Sequence, residues 1–256
     1  MTVLKNWMAT LKKVASAAAD NVGFLIGALA CVVLVLALAF FAEKLITAAR
    51  EKKGDKTSEN ERQSLKIRRM TLIAMMTALA TVLMLFDFPI PGLPAFYQLD
   101  FSEIPIIIGA YAMGPVAGVL MEFLKILLNL LFNGTSTVFI GEFANFIMGC
   151  CYVVPAAILY YARTTKRMAR ISLAAGTLTA VVSSCLLNAY LLLPTYGKLF
   201  HMDVVKTAAK DNSGITTIGK LIIFGTLPFN LLKYGVVSII TLLIYKHISR
   251  LLREHK

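Results

Sequence analysis

Long apolar segments are the feature that most constrains how this chain can fold. The clearest runs from Val22 to Ala42 and contains no charged side chain. A helix needs about 20 consecutive apolar residues to cross the hydrocarbon core of a bilayer. Of the 256 residues, 58% are hydrophobic and 16% are charged, whereas soluble domains have about 25% charged residues. The chain is therefore predicted to be an integral membrane protein, which excludes a soluble enzyme, a disordered chain and a secreted disulfide scaffold.

Further apolar segments follow along the chain. They are Met70–Phe86, Ile104–Met113, Val116–Phe132, Phe139–Ala162, Ile171–Leu193 and Ile218–Tyr245. None alternates as a strand does, and a helix satisfies its own backbone polar groups in lipid. We therefore predict an all-α membrane protein, a six-helix bundle preceded by one extra N-terminal transmembrane helix. The segment Ile104–Met113 is too short to cross alone without tilt or cover from its neighbours.

The predicted organisation has four parts. Residues 1–45 form an N-terminal transmembrane anchor, 46–67 a basic linker, 68–250 the six-helix membrane domain and 251–256 a tail. The middle of the linker, Glu51–Asn60, has no apolar residue to bury and is expected to be flexible. A cleaved signal peptide is the alternative for the first segment, but its apolar core exceeds the usual length of about 7–15 residues.

The distribution of positive charge predicts the orientation. The net charge is +12, from 26 Lys and Arg against 14 Asp and Glu. Basic residues concentrate between Glu43 and Arg69, between Arg163 and Arg170, and after Tyr245, and none lies in Asp87–Glu103 or Asn133–Glu142. Cytoplasmic loops carry this excess. Six spans place all three basic segments in the cytoplasm and the N-terminus outside, and the charge needs no nucleic acid partner to explain it.

The sequence lacks the usual signs of an enzyme or a metal site. Its three histidines are dispersed, and its four cysteines lie inside apolar segments without metal-ligand spacing. The stretch Gly214–Lys220 has the spacing of a nucleotide-binding loop, but Leu221 stands where the magnesium-binding Ser or Thr belongs. We therefore expect no catalytic residues, no metal and no nucleotide hydrolysis by this chain.

Polar side chains inside apolar segments are the candidate functional residues, because each is costly in a membrane unless it is paired or meets a ligand. Asn230 and Lys233 lie three residues apart in the last segment and share a helix face. Asn188 lies near the outer end of the preceding segment. The alternatives are a structural ion pair or an interfacial position for Lys233, and a helix–helix hydrogen bond for Asn188.

Two other segments carry polar residues at helical spacing. Glu122, Lys125 and Asn129 lie three and four residues apart, where opposite charges can neutralise each other structurally. Glu142 and Asn145 lie at the outer start of the next segment.

The outer loop Asp87–Glu103 is unusually stiff and apolar. Three prolines in six residues bar it from helix, and its aromatic residues suit a lid or one wall of a pocket better than a solvated loop. A loop lying on the lipid interface is the alternative. Amides, a lysine and an aromatic lid would suit a flat ligand with one polar edge, such as an isoalloxazine ring, although several vitamins also fit.

Several motifs in this order resemble the riboflavin-binding S-component of energy-coupling-factor (ECF) transporters. They cover roughly residues 66–250 and comprise Pro89–Pro94, Leu99–Pro105, Gly114–Gly118, Lys125–Asn129, Phe143–Phe146, Leu187–Gly197 and Pro228–Lys233. The resemblance implies a six-helix subunit that captures riboflavin as a transported substrate. It also implies a transmembrane coupling protein and two cytoplasmic ATPase subunits as partners in the bacterial cytoplasmic membrane.

The resemblance also implies roles for particular residues. Asn188, Asn230 and Lys233 would line the flavin site, and Gln98 and Asp100 would contribute from the first loop. Further candidates for substrate binding are Phe96, Tyr97, Asn129 and Asn145. Ala74 and Ala78 form a small-xxx-small face for coupling to the partner. The N-terminal anchor is not part of the usual six-helix pattern.

Three other functions compete with this interpretation. The same scaffold could bind thiamine, biotin or a folate. A membrane-embedded enzyme could use Glu122, Glu142 and Lys125. A passive channel should show a continuous polar stripe, whereas the polar residues here lie mostly in the outer half.

Overall fold

A computed structural model describes residues 8, 22–51, 59–90, 97–135, 137–199 and 216–253. Within these ranges nearly all of the chain is helical. The elements, in order, are α1 (Val22–Glu51), α2 (Glu59–Leu85), β1 (Phe88–Pro89), β2 (Gln98–Leu99), α3 (Glu103–Met113), α4 (Pro115–Asn133), α5 (Ile140–Ala162), α6 (Lys166–Leu187), a π-helical turn π1 (Asn188–Leu192), α7 (Leu193–Leu199), α8 (Ile218–Leu221), a second π-helical turn π2 (Ile222–Thr226) and α9 (Leu227–Arg253).

Six helical stretches of the described chain are long and apolar enough to cross a membrane. They are Val22–Ala48, Lys66–Leu85, Pro115–Asn133, Ile140–Ala162, Lys166–Gly197 and Ile218–Tyr245. The short helix α3 is almost entirely buried by its neighbours, which explains how eleven residues are accommodated inside the bundle. The predicted all-α bundle with an additional N-terminal helix is confirmed.

The structure differs from the prediction in the basic linker. Helix α1 continues to Glu51 and α2 already begins at Glu59, so both ends of the segment expected to be flexible are helical. Lys, Arg and Glu are good helix formers, and extending an existing helix is far easier than nucleating one. Residues 52–58, the centre of that segment, lie outside the described residues.

The outer loop forms a small antiparallel hairpin that the sequence pattern did not predict. Phe88 pairs with Leu99, and Pro89 pairs with Gln98. Tyr97 and Leu99 are buried against the ends of the later helices, in a cluster with Leu193, Leu221 and Phe229. The described part of this loop therefore packs on the bundle, as expected for a pocket wall. Residues 91–96, including most of its prolines, lie outside the described residues.

Tyrosines fill much of the bundle core. The rings of Tyr111 and Tyr160 stack with centroids 4.0 Å apart, and the Tyr160 and Tyr245 hydroxyls hydrogen-bond at 3.0 Å. Tyr152 packs against Tyr234 and hydrogen-bonds Ser238. Tyr111 hydrogen-bonds Ser172, so Tyr111, Tyr152, Tyr160 and Tyr245 each combine a large apolar surface with a hydrogen-bonded hydroxyl. Together these contacts tie α3 and α5 to α9.

Helix α1 is attached to the six-helix domain along one stripe. Val32 and Ala39 pack against Val119 of α4 and Phe146 of α5, while most of the other α1 side chains are exposed to the surroundings of the bundle.

The contact of α1 with the bundle ends in a polar lock formed by Glu43. Its carboxylate accepts a hydrogen bond from the Arg69 guanidinium at 3.0 Å and from the Val116 backbone N–H at 3.1 Å. The second bond satisfies a free donor at the first turn of α4. Gly114 has φ +99°, and a Cβ there would come within 2.7 Å of the carboxylate. The glycine therefore makes room for Glu43.

We expect Glu43→Ala to lower the free energy of unfolding by about 1–2 kcal/mol, because an ion pair and a helix-terminal hydrogen bond are lost. Thermal unfolding in detergent measures the effect. Lys44→Ala, at the exposed neighbouring position, is the control and should change stability little. Equal stability of the two variants would show that Glu43 contributes nothing to holding α1.

Candidate functional site

A cavity of about 530 Å³ opens at the end of the bundle opposite the Glu43 lock. This volume lies within the range of about 300–1,000 Å³ that is usual for small-molecule sites. Its walls come from the hairpin, α2, α4, α5, π1, α7 and α9. The lining residues are Met84, Asp87, Tyr97, Gln98, Asp100, Asn129, Asn133, Gly134, Thr135, Thr137, Gly141, Glu142, Asn145, Met148, Asn188, Leu192, Tyr196, Phe229, Asn230, Lys233 and Tyr234.

Two π-helical turns shape the cavity wall. Asn188 begins π1, and Thr226 ends π2. A π-helical turn widens the helix and rotates the residues beyond it, and such turns are frequent at functional sites. The amide of Asn188 donates to the Ser184 carbonyl at 2.9 Å, and that of Asn230 donates to the Thr226 carbonyl at 2.8 Å. Each amide thus uses one N–H on its own helix and retains a second N–H for other partners.

Tyr97 connects the hairpin to both π-helical turns. Its hydroxyl lies 2.6 Å from the Thr226 hydroxyl and 3.4 Å from the Asn188 carbonyl oxygen. Its ring packs on Phe229, with centroids 5.1 Å apart. Burial raises the pKa of Tyr97 to about 12, so the phenol stays neutral. Tyr97 therefore provides an aromatic surface and fixes where the amide of Asn188 points.

Asp100 and Lys233 form an ion pair in the cavity wall. The Lys233 Nζ donates to Asp100 Oδ2 at 2.7 Å, and the two side chains are only 8% and 5% exposed. Asp100 Oδ1 accepts from the backbone N–H of Ser102 at 2.9 Å and from its hydroxyl. Burial alone would raise the pKa of Asp100, but the charges of Lys233 and Lys125 and these hydrogen bonds hold it at about 2. Lys233 therefore forms the ion pair that was the structural alternative to ligand binding, but this pair lines a cavity.

The surplus charge of the cavity is negative. Among its described lining residues the ionisable side chains besides tyrosines are Asp87, Asp100, Glu142 and Lys233. Burial and the nearby Asp100 carboxylate raise the pKa of Asp87. At the rim, Glu142 accepts a hydrogen bond from the Thr137 hydroxyl at 2.9 Å. A cavity of this kind favours neutral or cationic ligands over anionic ones.

A second charge cluster lies beneath the cavity. Lys125 contacts Glu103 at 2.9 Å and Glu122 at 2.7 Å, and all three side chains are at most 1% exposed. Gly149 of α5 faces this cluster, where a Cβ would come within 2.6 Å of Glu122. The expected neutralisation of Glu122 by Lys125 is present, and Glu103 is an additional partner that helical spacing did not reveal.

The structure brings most of the candidate substrate-binding residues to one cavity. Gln98, Asp100, Asn188, Asn230 and Lys233 all line it, and so do Tyr97, Asn129 and Asn145. Phe96 lies outside the described residues. Whether these residues bind a substrate remains a prediction.

Sequence reasoning missed the apolar half of the wall, which includes Met148, Leu192, Tyr196 and Phe229. Tyr196 and Phe229 lie within the family motifs Leu187–Gly197 and Pro228–Lys233. Their place in these motifs was the one sequence feature that could have indicated them. An apolar residue in an apolar helix otherwise carries no mark of facing a cavity. Within the described residues, no group of three or more His, Cys, Asp or Glu side chains could hold a metal ion.

The fold and the cavity define a membrane-embedded helical bundle with a cavity of small-molecule size near one end. A family model described as "ECF transporter, substrate-specific component" matches residues 68–245. The chain therefore belongs to the family of ECF transporter substrate-specific components, or S-components. This confirms the resemblance seen in the sequence, and it confirms that the chain is a transport subunit and not an enzyme.

Individual relatives agree with this assignment. The chain is 33% identical to the riboflavin transporter FmnP of Bacillus subtilis over 182 residues, which cover 71% of this chain and 92% of that protein. It is 33% identical to the riboflavin transporter RibU of Staphylococcus aureus over 73% of this chain and 93% of that protein. A solved structure described as "Structure and mechanism of the S component of a bacterial ECF transporter" superposes with a TM-score of 0.59 at 31% identity, covering 73% of this chain and 98% of the other.

The Asp100 carboxylate predicts a pH dependence of stability. Its pKa is about 2 in the folded protein against an ordinary value of 3.8, so the ionised group stabilises the fold above pH about 4, and this contribution is lost as the pH falls towards about 2. The difference in Tm between the unsubstituted protein and Asp100→Asn should be constant near neutral pH and should narrow below pH about 4.

Asp87→Asn is the matched control, because the pKa of Asp87 is raised rather than lowered. Its substitution should not lower the Tm at neutral pH. A Tm difference for Asp100→Asn that stays constant down to the lowest pH measured would contradict the stabilising ion pair.

Proposed function

We propose that this protein is the riboflavin-binding subunit of an ECF-type uptake transporter. The observation that carries the proposal is the cavity, which is lined by Asn188, Asn230 and the Asp100–Lys233 pair together with aromatic rings. Relatives named riboflavin transporters, at 33% identity over most of their length, support it.

The chemistry of the wall suits an isoalloxazine ring. The uracil-like edge of the ring presents carbonyl oxygens and an N–H, which an asparagine amide complements with its own N–H and carbonyl oxygen. Lys233 has two N–H groups beyond the one given to Asp100, and these can donate to a ring carbonyl. Tyr97, Phe229 and Tyr196 provide apolar surface for the faces and the dimethylbenzene edge of the ring.

Charge helps to separate riboflavin from other vitamins. Biotin and folates carry carboxylates, which the surplus carboxylates of the wall would repel. Thiamine is cationic, so the charge of the cavity does not exclude it. However, the relatives described above are named riboflavin transporters. Riboflavin is neutral and meets no repulsion.

The proposed direction of transport follows from the position of the cavity. Arg69 and the connection between α5 and α6, which carries the basic segment 163–170, lie at the end of the bundle that holds the Glu43 lock. The positive-inside rule makes this end cytoplasmic. The cavity then faces outwards, and the N-terminus lies outside. Riboflavin is captured there and delivered inwards with a transmembrane coupling protein and two cytoplasmic ATPase subunits.

The proposal predicts that protein purified from cells grown with riboflavin is yellow and binds about one flavin per chain. Asn188→Ala and Asn230→Ala should each weaken binding by about 1–3 kcal/mol, because a buried hydrogen bond is lost. Quenching of riboflavin fluorescence by the apoprotein measures the affinity.

Ser183→Ala is the matched control, because it removes a comparable bond from a polar side chain to its own helix, to the Ala180 carbonyl at 3.0 Å, and does not line the cavity. It should bind as the unsubstituted protein does. Colourless protein that fails to quench riboflavin would exclude riboflavin as the substrate.

The partner-coupling proposal predicts a different phenotype on α2. Ala74 and Ala78 are exposed one turn apart on the outer face of this helix, where small side chains allow a partner helix to approach closely. Ala74→Leu/Ala78→Leu should abolish riboflavin uptake in cells that contain the whole transporter and leave binding in detergent unchanged.

Leu79→Phe enlarges a 50% exposed side chain on a different face of α2 and serves as the control. Uptake by this variant should persist. Normal uptake by the double alanine variant would remove the proposed coupling face.

A further inference from the structure

The buried cluster around Lys125 is connected to the cavity without being part of its wall. Lys125 is 0% exposed and does not line the cavity. Besides its two carboxylate partners, its Nζ donates to the Ser102 hydroxyl oxygen at 3.3 Å. The Ser102 hydroxyl in turn donates to Asp100 Oδ1. A directed chain of hydrogen bonds therefore runs from Lys125 through Ser102 to the carboxylate that holds Lys233.

This chain gives Asp100 two separate sources of positive potential. Oδ2 faces Lys233, while Oδ1 faces the Ser102 donors polarised by Lys125. Hydrogen bonds in such chains strengthen one another in a medium of low dielectric constant. Asp100 thus remains compensated on one side even when Lys233 shares its charge with another group.

The charges of the buried network are consistent with two separate sources of positive potential for Asp100. Three carboxyl groups, on Asp100, Glu103 and Glu122, face the two ammonium groups of Lys125 and Lys233. An unpaired buried charge is far more costly than a neutral acid, so a buried carboxyl group in excess holds a proton. With one proton on the Glu103–Glu122 pair the network is neutral, and Lys125 can be shared between that pair and Ser102.

We propose that Lys125 is a positioning residue for ligand binding. By holding Asp100 through Ser102, it leaves Lys233 able to direct its remaining N–H groups at the ligand. Without Lys125, Asp100 depends on Lys233 alone and binds it more tightly, so less of the lysine's charge is available to the ligand. The inference rests on the proposed binding of riboflavin at this cavity.

The test is a double-mutant cycle. Lys125→Met alone would leave two buried carboxyl groups without a cation, so the variant to use is Glu103→Gln/Glu122→Gln/Lys125→Met, which replaces the neutral cluster by neutral side chains of similar size. In the otherwise unsubstituted protein it should raise the riboflavin Kd about tenfold, the loss expected for one charged hydrogen bond. In an Asp100→Asn/Lys233→Met background it should raise the Kd less than about twofold, because the pair it acts through is absent.

Two controls isolate Lys125 within the cluster. Glu122→Gln alone mimics the protonated acid and should leave the Kd within about twofold of the original value. Ser102→Ala breaks the chain without removing a charge and should raise the Kd in the same direction as the triple variant. An equal rise of the Kd in both backgrounds, or no rise with the pair intact, would show that the cluster is structural only.

A readout without ligand separates this inference from the proposed function. Acetylation of Lys233 by an N-hydroxysuccinimide ester, followed by mass spectrometry, should be slower in the triple variant, because the amine is held more firmly by Asp100. If the unsubstituted protein does not bind riboflavin, the proposed function fails. An unchanged acetylation rate would overturn the role of Lys125 whatever the ligand is.

Discussion

The ion pair between Asp100 and Lys233 is the interaction on which the site depends. It joins the segment just before the short helix α3 to the first half of α9, across 133 positions of sequence. Neither charge could remain ionised alone in such an apolar bundle. Each side chain therefore fixes the position of the other. Lys233 is held by Asp100 and still lines the cavity. The hairpin that carries Tyr97 packs against Phe229 of the same helix and forms one wall of the cavity.

The two ends of the bundle have different structural roles. At the basic end, Glu43 binds α1 to Arg69 and to the first turn of α4, which makes the additional helix a packed part of the structure. At the other end, two helices contain π-helical turns, and amide side chains line the cavity. The apolar and aromatic core between them, rich in tyrosine pairs, keeps these ends in a fixed relation. The polar cavity of the described chain therefore lies at one end of the bundle.

A cavity wall whose polar groups are held in place by the protein itself is suited to an S-component. A subunit that captures a scarce molecule must bind it before any driving force acts, so its polar groups need to be positioned in advance. Here the positions come from hydrogen bonds within the protein: Asn188 and Asn230 to their own helices, Tyr97 to Thr226, and Asp100 to Ser102. Each of these residues is at most 4% exposed, so the orientation of its side chain is set by the protein and not by solvent.

The amino-acid sequence by itself determined the helical bundle, the extra helix and the shared face of Asn230 and Lys233, because length, apolarity and helical spacing are local properties of the chain. It also contained the motifs that identify the family. Local patterns could not reveal that Glu103 pairs with Lys125 or that Phe229 and Tyr196 line a cavity. Asp100 was indicated by the family resemblance, and nothing in the sequence showed that its partner is Lys233. Nor did the local patterns reveal the π-helical turns that set the direction of Asn188. Those features depend on which residues of distant helices meet, and that register is set only when the whole bundle packs and every buried charge must find its counterpart.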